Sequence, residues 1–329
     1  MNRFFYTFFV LIVNLQFLSC DRLIDPGGQS SPALQHNYVA ATAAFREAEG
    51  EYLYELVLID VYDPENYLIA TDGDVQAEQP MFSHDKSKIA FLNLNSSFVH
   101  SGIVTYYDLA DNTLYPMYFE DFPVLGDFPI AWKHDDSGFY YYGYYNKTMF
   151  TDITSQQSVN VYDPGGNPMS LKSVIGTDTL VIFTASDIHI EDVTYESHGL
   201  YIWNIRSNTV SKIANPHLDY KAAHITDWNE ELRLFAYTEY PELNIAVTDL
   251  HGDYYKRYTD SDMSDGYPRW GPDNDSIIFE RHLPHGYGYS SIEIIESKRL
   301  MKIDLATGEV SELVPPENIG GAAALMFSF

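Results

Sequence analysis

The sequence predicts an all-β fold, a six-bladed β-propeller in which one blade is closed by strands from the N- and C-terminal ends. Three observations carry this expectation. Tyr and Phe number 27 and 19, aromatics make up 15% of the 329 residues, and Val, Ile, Thr and Tyr gather in short runs, a composition of strands rather than helices. A hairpin motif recurs six times along the chain. An aromatic-turn motif precedes several of these hairpins, and self-similarity of this kind marks a repeat architecture.

The hairpin motif is an apolar residue, then Asp or Asn, an aliphatic residue, a short turn and a second apolar run. It reads "LIDVYDPENYLI" (Asp60), "YYDLADNTLYPM" (Asp108), "FTDITSQQSVNV" (Asp152), "IWNIRSNTVSKI" (Asn204), "VTDLHGDYYKRY" (Asp249) and "KIDLATGEVSEL" (Asp304). The intervals are 48, 44, 52, 45 and 55 residues. Each copy is two strands joined by a tight turn carrying Asn, Gly, Asp or Pro.

The aromatic-turn motif supplies two more strands per unit. "PMFSHDKSKIAF" (80–91), "AWKHDDSGFYYYG" (131–143) and "PRWGPDNDSIIF" (268–279) align an aromatic ring (Phe82, Trp132, Trp270) with an Asp three places on (Asp85, Asp135, Asp273). The fourth and fifth units are degenerate here, reading "VIGTDTLVIF" and "ITDWNEELRLF". Four strands per unit is the content of a propeller blade. The ends agree: "GAAALMFSF" reads as a first strand lacking its sequel, and "YVAATAAFREAEGEYLYELVLID" as a blade lacking its first strand. Joining them removes the open sheet edges. The three turn Asp residues are expected to cap their turns through side-chain to backbone hydrogen bonds. In "GFYYYGYYNK", alternate Tyr residues at strand period are expected to fill the gaps between blades.

The pattern P-x-W-x-x-D-x-x-x-I-x-F followed by x-D-L-x-x-G resembles the TolB-like propeller repeat, usually written with W-S-P-D-G in its turn. The turns here, "WGPDND", "FSHDKS" and "WKHDDS", keep the aromatic and the Asp and depart elsewhere. The resemblance covers residues 38–329 and speaks for fold, since such propellers serve as protein-binding scaffolds, sugar-processing enzymes and peptidase gate domains. TolB itself carries a further domain ahead of its propeller, for which this sequence has no room.

Residues 1–20, "MNRFFYTFFVLIVNLQFLSC", place one basic residue before an apolar stretch from Phe4 to Leu18, the pattern of a secretory signal. Cys20 is the sole cysteine and stands at the cleavage edge. "FLSC" resembles the bacterial lipobox, with Phe17 where Leu is usual, which implies lipidation of Cys20. Asp21 resembles the inner-membrane retention signal of enteric-type lipoproteins. Residues 21–37, rich in Gly, Pro, Ser and Gln, read as a flexible tether. The expectation is a bacterial envelope protein facing the periplasm, monomeric and held to the membrane by an N-terminal lipid only.

The net charge of −28 makes nucleic acid an improbable partner. No G-x-S-x-G elbow, complete G-x-G-x-x-G, P-loop or C-x-x-C occurs, which argues against serine-peptidase, dinucleotide, nucleotide triphosphate and redox chemistry. The candidate ligand-binding residues are the loop histidines His100, His189, His198, His282 and His285, with His217 and His224 flanking a blade-to-blade connection on the same face. His189, His198, His282 and His285 with Glu191 and Asp192 are the candidates for a divalent metal, although no pair stands at an established metal spacing and "HIEDV" is not H-E-x-x-H. Asp187, Glu196, Glu293 and Glu296 add acidic neighbours. "TDSDMSDGYP" (259–268) suggests a calcium loop through Asp260, Asp262 and Ser264, but its Gly266 falls one place late and no Glu closes the loop, so it is expected to connect blades.

These readings lead to a non-catalytic scaffold that binds an envelope protein or an extended ligand, with no catalytic residue and no cofactor assigned. The alternative is a metal-assisted lyase or hydrolase acting on polysaccharide fragments at the funnel, for which the propeller oligogalacturonate lyases are the comparison.

Overall fold

A computed structural model describes residues 37–46, 52–64, 67–71, 75, 77–93, 103–117, 130–143, 147–162, 169–175, 179–184, 188–190, 193–195, 200–218, 222–240, 242–260, 262–282, 298–313 and 324–328. The expected signal peptide with Cys20, and all of the expected tether except Asn37, lie outside these residues.

The fold is all-β in a propeller arrangement. The first sheet holds β1 (Tyr38–Arg46), β2 (Tyr52–Asp60) and β3 (Tyr67–Ile69). The second holds β4 (Ala77–Phe82), β5 (Lys88–Asn93), β6 (Ile103–Asp108) and β7 (Thr113–Pro116). The third holds β8 (Ala131–Trp132), β9 (Gly138–Gly143), β10 (Lys147–Asp152) and β11 (Gln157–Tyr162). In the fourth, β12 (Met169–Ile175) and β13 (Thr179–Thr184) are followed by a separate ribbon, β14 (Ile188–Ile190) and β15 (Val193–Tyr195), before β16 (Leu200–Asn204) and β17 (Thr209–Lys212) complete the sheet. The fifth holds β18 (Ala222–Asn229), β19 (Leu234–Glu239), β20 (Asn244–Asp249) and β21 (Tyr255–Arg257). The sixth holds β22 (Ser264–Trp270), β23 (Ser276–His282), β24 (Lys298–Asp304) and β25 (Val310–Glu312). Finally β26 (Ala324–Ser328) pairs with β1, Thr42 facing Ser328 and Ala43 facing Phe327. Five sheets are therefore contiguous in the chain, and the first is a composite of both ends.

Hydrophobic cores lie between successive sheets. Phe139 and Tyr141 pack toward the second sheet and Tyr140 toward the fourth, so the Tyr-rich run fills two gaps at strand period. The last sheet meets the first through Ile278 and Leu300 against Val57 and Ile59.

Local chemistry explains both repeated motifs. In every hairpin the Asp or Asn accepts hydrogen bonds from turn N–H groups at 2.6–3.3 Å: Asp60, Asp108, Asp152, Asn204, Asp249 and Asp304 each cap their own turn. In the other motif the ring pairs across the sheet with the apolar residue seven ahead (Phe82 with Ile89, Trp132 with Phe139, Trp270 with Ile277). Trp228 pairs with Phe235 at the same spacing, so the degenerate fifth unit obeys the rule. The Trp132 indole donates to Met81 O at 2.8 Å and the Trp270 indole to Asp227 O at 3.1 Å, each tying its sheet to the same position of the preceding one. Pro80 and Pro268 lie in β-bulges, where the missing N–H breaks no ladder bond. Lys86, Asp136 and Asn274 take the left-handed conformation (φ 56°, 53° and 60°) at the place where the usual repeat has Gly.

Two expectations need correction. Asp85 and Asp135 accept from the N–H groups of Ser87 and Ser137 as turn caps, but Asp273 instead accepts from the Tyr62 hydroxyl at 3.0 Å and ties the sixth sheet to the first. The stretch 259–268 is not only a connector, because Ser264 begins β22 and Asp265 is buried in that strand, bound in two places by Arg281 at 2.7 and 2.8 Å.

Candidate functional site

Strand direction alternates within each sheet, so the first-to-second-strand turns 83–87, 133–137, 230–233 and 271–275 gather at one end of the ring. The second strands of these sheets end at the other. His100, His198, His285, Glu191 and Asp192 lie outside the described residues. His189 is in β14, opposite Thr194, and His282 ends β23, two sheets further on. His282 Nε2 is 3.5 Å from Glu280 Oε2, a buried carboxylate that Lys298 Nζ approaches to 3.1 Å, so it joins a local ion-pair group within its sheet. His217 stacks on Tyr255 with ring centroids 4.0 Å apart. His224 lies in β18, opposite Thr238. Among the described residues no group of three His, Cys, Asp or Glu comes together as a metal site.

The cavity that does form is at the opposite end. It encloses about 400 Å³ between β1, β4, β18, β22 and the turns that follow the last three strands. Among the described residues, no turn joins β26 to β1 at this mouth, because the two strands come from opposite parts of the chain. Lys86 spans the gap, its Nζ donating to Pro272 O of the sixth sheet at 3.2 Å. The rest of the rim is laced together. Asp136 accepts from the backbone N–H groups of His84 and Asp85 and contacts His84 Nδ1, all at 2.8 Å. His84 also stacks on His134, and Asn274 links to Asn229 at 2.5 Å and to Glu231 at 2.7 Å.

The bulges matter to this mouth because an extra residue re-aims the side chains that follow it. Register shifts fall just before Met81, Asp227 and Arg269, which occupy the same place immediately before the aromatic ring, and all three line the cavity. Asp227 Oδ2 accepts from Trp270 N at 2.9 Å. Arg269 is only 5% exposed, and its Nε and both terminal nitrogens are buried without a hydrogen-bond partner. Burial pushes the Arg269 guanidinium below its ordinary value, against the pull of Asp227 and then Glu280. Burial likewise raises the Asp227 carboxyl, with Arg269 the strongest opposing influence. An arginine side chain keeps its charge in proteins. The mouth therefore holds a buried cation balanced at a distance by two carboxylates.

Sequence reasoning missed this pair. The available signal was the residue before each aromatic ring: Met81 and Ala131 are uncharged, whereas Asp227 and Arg269 carry opposite charges at matching places in neighbouring units.

No protein-family model matches the sequence, and no curated protein matches it. Solved structures do resemble the fold. TolB from Acinetobacter baumannii aligns with a TM-score of 0.57 at 12% identity, covering 82% of this chain and 62% of that one, so the chain spans under two thirds of that protein's length. A protein described as TolB from Agrobacterium tumefaciens aligns at 0.57 and 11% identity, with coverage of 84% and 89%. A chain of a nidogen/laminin complex aligns at 0.56 and 7% identity, with coverage of 88% and 97%. At these identities the likeness shows the fold alone, a β-propeller of the kind found in TolB.

Proposed function

We propose that this chain is a six-bladed, lipid-anchored propeller of the bacterial envelope, and that it works as a non-catalytic binding scaffold whose recognition end is the channel mouth. The observation that carries the reading is the buried, unpartnered Arg269 guanidinium at a cavity of about 400 Å³, within the size range of ligand sites. The rim supports it. His84, Asp136, Asn229 and Asn274 spend their polar atoms on bonds between sheets, which suits a preorganised surface. The lipid anchor rests on Cys20 in "FLSC", and the envelope location rests on that motif together with the fold shared with TolB.

The test uses the full chain in a bacterial host fed a clickable palmitate analogue. Wild type is expected to be labelled and to sediment with membranes, and Cys20→Ala to lose both properties. A photo-reactive residue in place of His84 is expected to give a discrete envelope adduct. Absence of label would remove the anchor. Turnover of polysaccharide fragments by the purified protein would replace the scaffold reading with the enzyme one.

A further inference from the structure

We propose that the channel mouth receives the cationic side chain of an arginine or lysine on an extended segment of a partner protein, held between the carboxylates of Glu230 and Glu231 and the rings of Trp228 and Trp270. This rests on the reading of the mouth as the binding end and names the chemistry of what enters it.

The argument starts from which charges at the mouth are accessible. Two cations border the cavity, and neither is offered to it. Arg269 is only 5% exposed with its three guanidinium nitrogens buried, and Lys86 Nζ donates to Pro272 O at 3.2 Å. Glu230 and Glu231 line the same cavity and are exposed, and neither pairs with a cation among the described residues. Each is fixed instead by a neutral donor. Glu230 Oε2 accepts from the Trp228 indole at 2.6 Å, and Glu231 Oε2 accepts from Asn274 at 2.7 Å. A neutral donor orients a carboxylate without cancelling its charge, and the second oxygen of each keeps its acceptor capacity. Two adjacent acids held in place with no counter-charge suit a cation that arrives from outside.

The walls narrow the choice of cation. Trp228 and Trp270 are half-buried and line the same space, and an indole face is the best aromatic surface for a cation. An anion would meet Glu230, Glu231 and Asp227 on this lining. A metal ion would need a convergent ligand group, and none forms among the described residues. An arginine side chain donates to a carboxylate with its edge while its face stacks on a ring, and a lysine ammonium supplies the same charge at a point. The rim is made by the turns 83–87, 230–233 and 271–275, so the backbone carrying the side chain stays outside on those turns. The net charge of −28 draws basic segments toward the chain at longer range.

The test is isothermal titration of the full chain with acetyl-Gly-Arg-Gly-amide, acetyl-Gly-Lys-Gly-amide, acetyl-Gly-citrulline-Gly-amide, acetyl-Gly-Glu-Gly-amide and free L-arginine. The arginine or lysine peptide is expected to bind saturably. Citrulline keeps the shape of arginine without its charge and is expected to bind about tenfold or more weakly, the scale of one charge-assisted hydrogen bond. The glutamate peptide is expected not to bind. These comparisons leave the protein unaltered, so they do not depend on whether a variant folds. Glu230→Gln with Glu231→Gln is expected to bring the arginine and citrulline peptides to equal affinity. The proposal is overturned if neither cationic peptide binds up to about 10 mM, if citrulline binds as well as arginine, or if the double variant keeps the difference between them. Tighter binding of free L-arginine than of the peptide would assign the cavity to a small molecule and overturn it as well. A discrete adduct from position 84 with no binding of either cationic peptide would overturn this inference and leave the scaffold reading in place. Absence of both adduct and binding would remove the mouth as the binding end.

Discussion

Arg269 offers the sharpest test of how the ring tolerates a charge in its channel. Arg269→Met removes a guanidinium with three unbonded nitrogens, which taken alone should help the fold. It also strips Asp227 and Glu280 of the positive charge they share. Breaking one side of a buried charge group costs about 3–5 kcal/mol, so the single variant should lose stability. Glu280 keeps Lys298 at 3.1 Å, which leaves Asp227 as the main casualty. Arg269→Met combined with Asp227→Asn preserves an acceptor for Trp270 N and removes the opposed charges. Uncharged replacement of a buried pair is neutral or stabilising by about 1–4 kcal/mol, so the double variant should recover at least half of the loss. Urea unfolding at pH 7 with an unchanged slope is the assay. Lower pH supplies a check on the sign. Burial raises the folded-state value of Asp227, so its protonated form is favoured in the fold, and its contribution is greatest below the unfolded value of 3.8 and is lost as pH rises through the folded one. The deficit of Arg269→Met should therefore shrink as pH falls from 7 toward the unfolded value of 3.8, the single variant approaching the double one. A double variant as unstable as the single one at pH 7 would refute the reasoning.

Other predictions follow from the repeat chemistry. Trp132→Phe deletes the indole bond to Met81 O and should cost about 1–2 kcal/mol in thermal unfolding, whereas no change would mean that the bond between sheets contributes nothing. The Lys133 ammonium, then Ser137, hold Asp135 down to about 2, and turn N–H bonds from Ser155 and Thr307 lower Asp152 and Asp304. Stability from these groups is present above the unfolded value of 3.8 and is lost as pH falls toward about 2, so Asp135→Asn should flatten the acid limb of the unfolding midpoint in that window. Gly308 has φ of +75° with open space where a Cβ would stand, so Gly308→Ala should cost about 1–2 kcal/mol of backbone strain alone. At Gly138 a Cβ would collide with Thr151 O, so Gly138→Ala should be the more damaging of the two by denaturant midpoint.

The fold was legible because its signals are local. Each hairpin Asp or Asn bonds to N–H groups two to four residues away, and each aromatic ring pairs with a residue seven ahead, so both patterns survive in a single chain read end to end. The site was hidden because its parts are not local. Asp227 and Arg269 interact across two units, and the unit holding Asp227 has Glu231 where the motif has its turn Asp. Loop length drew attention to the histidines instead. Of these, the described residues place His282 in an ion-pair group with Glu280 and Lys298.

The most direct measurement is amide hydrogen exchange of the full chain with and without solubilised envelope proteins of the bacterial host, because it reports which end of the ring engages a partner. Added protection in residues 81–87, 227–231 and 269–275 is the predicted result. Protection confined to residues 280–300 would place recognition at the histidine-bearing end and contradict the account.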